Sequence, residues 1–100
     1  MRQDIAICGL MALFALAGHP AAADCYADYK AKRDDPLQLH YGVIELADGV
    51  CGKPQAVKQE IASRIAADGW KLLSVVSTFG AAGLGDEQRR ANAGSFFLRY

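Results

Sequence analysis

Few residues of this chain have side chains that do chemistry, and they lie far apart in the sequence. Nucleophilic or acid–base catalysis needs a hydroxyl, thiol or carboxylate beside a base, and His40 is the only histidine after residue 23. Ser74 and Ser77 lie in a run of β-forming residues rather than in a Gly-x-Ser-x-Gly turn. A zinc site needs three or four nitrogen, sulfur or oxygen ligands, and no second histidine accompanies His40. The sequence therefore predicts no catalytic residue, no metal site and no cofactor, and it favours a protein that is not an enzyme.

Four residues remain as candidates for contact with a ligand or partner: His40, Trp70, Arg89 and Arg90. A lone histidine in a strand is typical of a sheet surface, and a tryptophan that follows a helix stop is typical of a core anchor. The Arg89-Arg90 pair lies in a long connection rich in glycine and alanine, and it is the charged pair to test for partner contact.

The composition limits the class of protein. The chain has 100 residues, 11 basic and 11 acidic side chains, and a hydrophobic fraction of 52%. This length excludes a multidomain enzyme, and this hydrophobic fraction excludes disorder across the whole chain. The net charge of zero gives no reason to expect a nucleic acid or an anionic membrane as partner. We therefore expect one small domain.

The first 23 residues have the pattern of a secretory signal peptide. An unbroken stretch of apolar or small residues, Ile5–Ala17, is followed by Pro20 and by three alanines that end at Ala23. The stretch is too short to cross a bilayer, which disfavours the alternatives of a membrane anchor or a core helix. We expect cleavage after Ala23 and a periplasmic or secreted domain of residues 24–100. The residue before Cys25 is an aspartate, which disfavours lipid attachment, so no membrane anchor is expected after processing.

The cysteine count changes with that cleavage. Cys8 leaves with the leader, and Cys25 and Cys51 remain as a pair in an oxidising compartment, where a disulfide is expected. A disulfide that closes the loop between Cys25 and Cys51 would add about 3.5 kcal/mol to the free energy of unfolding, because it lowers the entropy of the unfolded chain. This is a large share of the stability of a small domain. Two free buried thiols are the alternative. A catalytic dithiol is disfavoured because the sequence has no Cys-x-x-Cys motif.

The strongest periodic pattern predicts one long amphipathic helix. Val57, Ile61 and Ile65 recur every four residues, Pro54 suits the first helical position, and Gly69 supplies the stop. Around it, alternation of β-forming residues predicts strands. The expected elements are a short N-terminal helix over Asp24–Asp35, strands over Leu37–Leu46, Trp70–Phe79 and Ser95–Tyr100, and the main helix over Pro54–Ala67.

This order predicts an α+β fold with a mixed three-stranded βαββ sheet, in which the first two strands are parallel neighbours and one main helix covers one face. Both faces of Trp70–Phe79 are apolar, so the second face needs the N-terminal helix or another subunit. The connection Gly80–Gly94 is long for a compact domain and is either functional or mobile. Within it, Asp86 is expected to cap one or two helical turns through Arg90.

Two segments carry a resemblance to a known type of protein. They are Gly69-Trp70-Lys71-Leu72-Leu73, after an amphipathic helix, and the closing Phe96-Phe97-Leu98-Arg99-Tyr100. Together with Tyr41-Gly42-Val43, they resemble small bacterial proteins of a domain-of-unknown-function type over roughly residues 38–100. The resemblance implies a βαββ layout and brings no catalytic residues with it. The leader and the cysteine pair go beyond that pattern, so this chain looks like an exported member.

Two functions are compatible with these features. The favoured one is a non-enzymatic exported domain that acts by protein–protein contact or by self-association as a homodimer. The alternative is a small-ligand-binding domain or minor enzyme, whose pocket would lie between the Gly80–Gly94 loop and the sheet and would use His40, Trp70, Arg89 and Arg90. The two differ in whether those four side chains share one cleft.

Overall fold

The structure is a computed structural model, and it describes residues 25–100. The predicted signal peptide, residues 1–23, lies outside the described residues. The elements in chain order are β1 (Tyr26–Arg33), β2 (Gln38–Glu45), α1 (Pro54–Ile65), β3 (Lys71–Phe79) and α2 (Glu87–Ala93), with 3-10 turns at Ala66–Asp68, Ala81–Gly85 and Gly94–Phe96. The predicted α+β class, with a three-stranded sheet and one main helix, is confirmed.

The sheet has the strand order β2-β1-β3, and both pairings are antiparallel. β1 and β2 form a hairpin, and the chain then crosses through α1 to reach the other side of β1. β2 and β3 therefore run in the same direction but are not neighbours. The predicted mixed βαββ sheet with adjacent parallel strands is wrong in this respect, because a strand that the sequence analysis did not identify lies between them.

That missed strand is β1, which replaces the predicted helix over Asp24–Asp35. Ala27, Tyr29 and Ala31 are fully buried on one face, and the residues between them point to the other face. Tyr26, Tyr29 and Arg33 also fit a helical spacing, and alanine favours helices, which is why the segment misleads. Pairing on both sides and burial of the alternate residues outweigh that local preference.

The predicted strand over Ser95–Tyr100 is also wrong. Gly94–Phe96 forms a 3-10 turn, and Gly94 and Leu98 have positive φ angles of 53° and 56°, which interrupt an extended conformation. The segment instead runs beside the outer edge of β2, where Val43 and Phe97 form a single parallel bridge. The Leu98 amide donates to the Val43 carbonyl over 2.8 Å.

α1 packs on the sheet face that carries Ala27, Tyr29 and Ala31, which we call the upper face. Val57, Ile61 and Ile65 are buried against it, as the periodicity predicts. The predicted Pro54–Ala67 helix is confirmed, with its last turn in 3-10 form and Gly69 at a φ of 82° as the stop.

One glycine of β2 is required by the packing on this face. The ring of Tyr29 lies over Gly42, where a Cβ atom would stand 2.6 Å from the tyrosine oxygen. Any larger residue at Gly42 would therefore displace a fully buried aromatic side chain.

The predicted disulfide is present. Cys25 and Cys51 are bonded, and their Cα atoms are 5.9 Å apart. The bond joins the start of β1 to the turn that precedes α1, and Cys25 belongs to the buried core. The disulfide therefore ties the central strand to the helix that covers it.

The opposite face of the sheet, the lower face, carries Tyr26, Asp28, Lys30 and Lys32 of β1. One end of it is covered by α2, where Val43 and Ala93 are buried. Asp86 caps α2 as predicted, accepting from the Arg89 amide over 3.0 Å. The element that covers this face therefore lies within the Gly80–Gly94 connection, and the predicted N-terminal helix does not cover it. None of the helices within residues 25–100 is both long enough and apolar enough to cross a membrane.

Candidate functional site

The four candidate contact residues do not share one cleft. His40 pairs with Ala31, which places it on the upper face, and its ring centre lies 4.3 Å from that of Trp70. Arg89 contacts Asp28 on the lower face, and the Arg90 guanidinium lies 4.5 Å from the ring centre of Phe97. His40 and Trp70 come together as a pair, and the two arginines lie on the other side of the sheet.

His40 is the centre of an aromatic cluster on the upper face. Its ring stacks on Phe96 at 3.7 Å and meets Trp70 edge-on, and its Nε2 atom is 2.9 Å from the Tyr29 hydroxyl. Arg33 lies over the Trp70 ring at 4.0 Å. Such contacts use the imidazole as an aromatic packing group.

The same surroundings decide the charge of His40. Burial, together with the positive charges of Arg33 and Arg99, lowers the pKa of His40 to about 4. The imidazole is therefore neutral at neutral pH. Three buried nitrogen atoms, Arg33 Nε, His40 Nδ1 and Trp70 Nε1, have no hydrogen-bond partner among the described residues, and all three belong to this cluster.

A second polar cluster, which the sequence analysis missed, surrounds Asp28 on the lower face. Asp28 is only 4% exposed, and its carboxylate accepts hydrogen bonds from Tyr41 at 2.6 Å and from Ser77 at 2.7 Å. Arg89 donates to it from α2 over 3.4 Å. The partners come from β2, β3 and α2, so one carboxylate links three elements. Reading Tyr26–Arg33 as a strand would have placed this acid inside the sheet.

The charge state of Asp28 follows from these bonds. Burial alone would raise its pKa, but the hydrogen bonds from Tyr41, Ser77 and Arg89 outweigh burial and hold the pKa below its usual value. Burial and the same carboxylate raise the pKa of Tyr41 to about 12. Asp28 is thus an ionised and fully partnered acceptor, which suits a structural link better than a general base.

Arg89 makes further contacts within the protein besides its bond to Asp28. Its guanidinium also donates to the Gly83 carbonyl at 2.8 Å and lies 3.9 Å from the ring centre of Phe79. Phe79 in turn stacks on Tyr26. Arg89 therefore links α2 and the preceding 3-10 turn to the sheet, and 19% of its side chain remains exposed.

The part of the lower face that α2 leaves uncovered carries two exposed leucines beside a tyrosine and two lysines. We call it the open half-face and define it by Lys30, Lys32, Leu39, Tyr41 and Leu73. One shallow depression of about 350 Å³ extends across all three strands here, and it is lined by Lys30, Ala31, Leu39, His40, Tyr41 and Leu73. Leu39 is 66% exposed and Leu73 is 52% exposed.

Comparisons of the chain with protein-family models, with characterised proteins and with solved structures found no match. Within residues 25–100, no group of three or more histidine, cysteine or acidic side chains is arranged to hold a metal ion. The βαββ layout that the resemblance implied differs from the observed order of two strands, a helix and a strand. What the chain does must therefore be argued from its own surfaces.

Proposed function

We propose that this protein is an exported, disulfide-closed domain without enzymatic activity, which acts by binding another protein through the open half-face. The observation that carries the proposal is the exposure of Leu39 and Leu73 around one depression. Aliphatic side chains gathered at one place on a small domain are typical of a contact surface, because water contact with them is unfavourable.

The polar groups support contact rather than catalysis. The Asp28 carboxylate is occupied by Tyr41, Ser77 and Arg89, and His40 is packed between aromatic rings with a lowered pKa. The alternative of a ligand pocket built from His40, Trp70, Arg89 and Arg90 loses its support, because these side chains lie on two faces of the sheet.

The expected partner is a different protein rather than a second copy. The uncovered sheet face suggested self-association at the sequence level, but α2 already covers one end of it. In a contact between two open half-faces, both surfaces would carry Lys30 and Lys32 and neither would offer an acidic side chain, so their charges would not be complementary. A partner with an apolar centre and acidic flanks fits this surface better.

Export is supported by the disulfide and by the pattern of the first 23 residues. A cysteine pair that forms a bond is typical of an oxidising compartment such as the periplasm or the exterior of the cell. We therefore place the contact outside the cytoplasm.

Site-specific photo-crosslinking in the native cell envelope tests this proposal. A benzophenone side chain is introduced at Leu73 in one variant and at Leu98 in a matched control, which is 41% exposed beside the other edge of the sheet. We expect a discrete crosslinked product from Leu73 and none from Leu98, with loss of that product when Leu39→Ser is added. Equal labelling at both positions, or no product from Leu73, would overturn the proposal, and a product with a second copy would overturn the choice of partner.

A further inference from the structure

Within the described part of the chain, other segments form hydrogen bonds with one outer edge of the sheet, whereas the other outer edge is uncovered. Along β2, the Leu98 amide donates to the Val43 carbonyl at 2.8 Å, and Arg64 donates to the Glu45 carbonyl at 2.6 Å. Along the other edge, β3 pairs with β1 and with no other strand within residues 25–100. An uncovered edge strand offers backbone N–H and C=O groups to another chain.

A groove lies beside this uncovered edge, between β3 and α1. It consists of two adjoining depressions of about 270 and 460 Å³, and Lys58 of α1 lines both of them. Ala62 and Ala66 form the helix side of the larger one, and Leu72 and Val75 of β3 supply apolar floor. The small alanines leave space that side chains of another chain can fill.

The charges around the groove have one sign. Lys58 is at its middle, and none of the described residues that line it is acidic. Lys71 also lines the end near Trp70, although its pairing with Lys32 directs its side chain to the lower face. An extended chain in the groove would therefore gain from acidic side chains near Lys58.

We propose that this groove binds an extended, acidic peptide segment of a partner protein, which adds to β3 as a further strand. In this mode of recognition, main-chain hydrogen bonds to the edge strand provide affinity, and alternate side chains enter the groove and provide specificity. The inference goes beyond the proposed function, since it uses the other side of the sheet and different residues.

The shape of β3 favours a short segment over a second copy. The register between β1 and β3 shifts twice, so that Val76 and Leu73 are extra residues in β3. Such bulges bend an edge strand and hinder pairing with another long strand. A second copy would bring an equally bent strand and the same lysines, whereas a flexible segment of about five residues can follow the bend.

Peptide titration followed by NMR tests the inference with a defined probe. The probe is the heptapeptide acetyl-Thr-Val-Glu-Val-Glu-Val-Thr-amide, and its control has lysine at both glutamate positions. We expect saturable shifts of the backbone amides of β3 and α1, and about tenfold weaker binding of the lysine peptide. N-methylation of alternate amides of the acidic peptide should abolish binding, because it removes the donors for strand addition.

Two protein variants make the test specific. Lys58→Glu should reverse the preference between the two peptides, whereas Lys30→Glu, on the open half-face, should leave it unchanged. No saturable binding of the acidic peptide up to about 1 mM, shifts confined to the open half-face, or an unchanged preference in Lys58→Glu would overturn the inference. Since the photo-crosslinking experiment probes other residues, failure of one proposal is distinguishable from failure of the other.

Discussion

At the scale of single residues, the surroundings of two buried titratable groups keep one of them neutral and the other ionised. His40 is kept neutral by burial and by neighbouring arginines, and Asp28 is kept ionised by three donors despite its burial. Neither state can be predicted from the sequence, because each depends on residues that are distant in the chain. The Cys25–Cys51 bond could be predicted, since compartment and cysteine count suffice for it.

The lowered pKa of His40 predicts a pH dependence of stability. The unfolded chain binds a proton near the ordinary pKa of 6.5, whereas the folded protein does so only near a pKa of about 4. The unfolded state therefore holds more protons between these values, and the free energy of unfolding falls as the pH is lowered from about 6.5 to about 4. Urea denaturation at a series of pH values measures this slope.

The matched control for this measurement is His40→Asn, which removes the titrating group. Its free energy of unfolding should depend less on pH over the same interval. The Asp28 carboxylate, whose pKa lies below its ordinary value of 3.8, adds its own loss of stability only at lower pH. An identical slope in both proteins would contradict the assignment to His40.

At the scale of elements, the sequence correctly predicts those helices and strands that have a clear local residue pattern. α1 follows from the spacing of Val57, Ile61 and Ile65, and β2 and β3 follow from their β-forming residues. β1 was missed because Tyr26–Arg33 fits helical and strand spacing alike, and only its two neighbouring strands select the extended form. The C-terminal segment has a β-like composition, which predicts a strand, but the positive φ of Leu98 interrupts an extended conformation there.

The attachment of α2 to the sheet is a property of elements that depends on Asp28. We expect Asp28→Asn to lower the free energy of unfolding by about 2 kcal/mol, because it weakens the bond to Arg89 and disturbs two further hydrogen bonds in a buried site. Asp34→Asn is the control, since Asp34 forms only an exposed ion pair with Lys32 and should cost at most about 0.5 kcal/mol. Urea denaturation at neutral pH compares them, and equal losses would contradict the structural role of Asp28.

At the scale of the whole molecule, the elements within residues 25–100 cover parts of both faces of the sheet and one of its two outer edges. α1 covers the upper face, α2 covers one end of the lower face, and the C-terminal segment covers the edge of β2. Among the described residues, the open half-face and the outer edge of β3 are the surfaces to which our two proposals assign partners. A domain this small has little stability to spare, and the bond between Cys25 and Cys51 adds to it.

Intact-mass analysis of protein from its native source tests most directly whether the domain is exported and oxidised. After alkylation without reductant, the mass should correspond to a chain that begins at Asp24 and carries an intact bond between Cys25 and Cys51, with no alkylated cysteine. A chain that still begins at Met1, or one in which both of these cysteines are alkylated, would contradict the account.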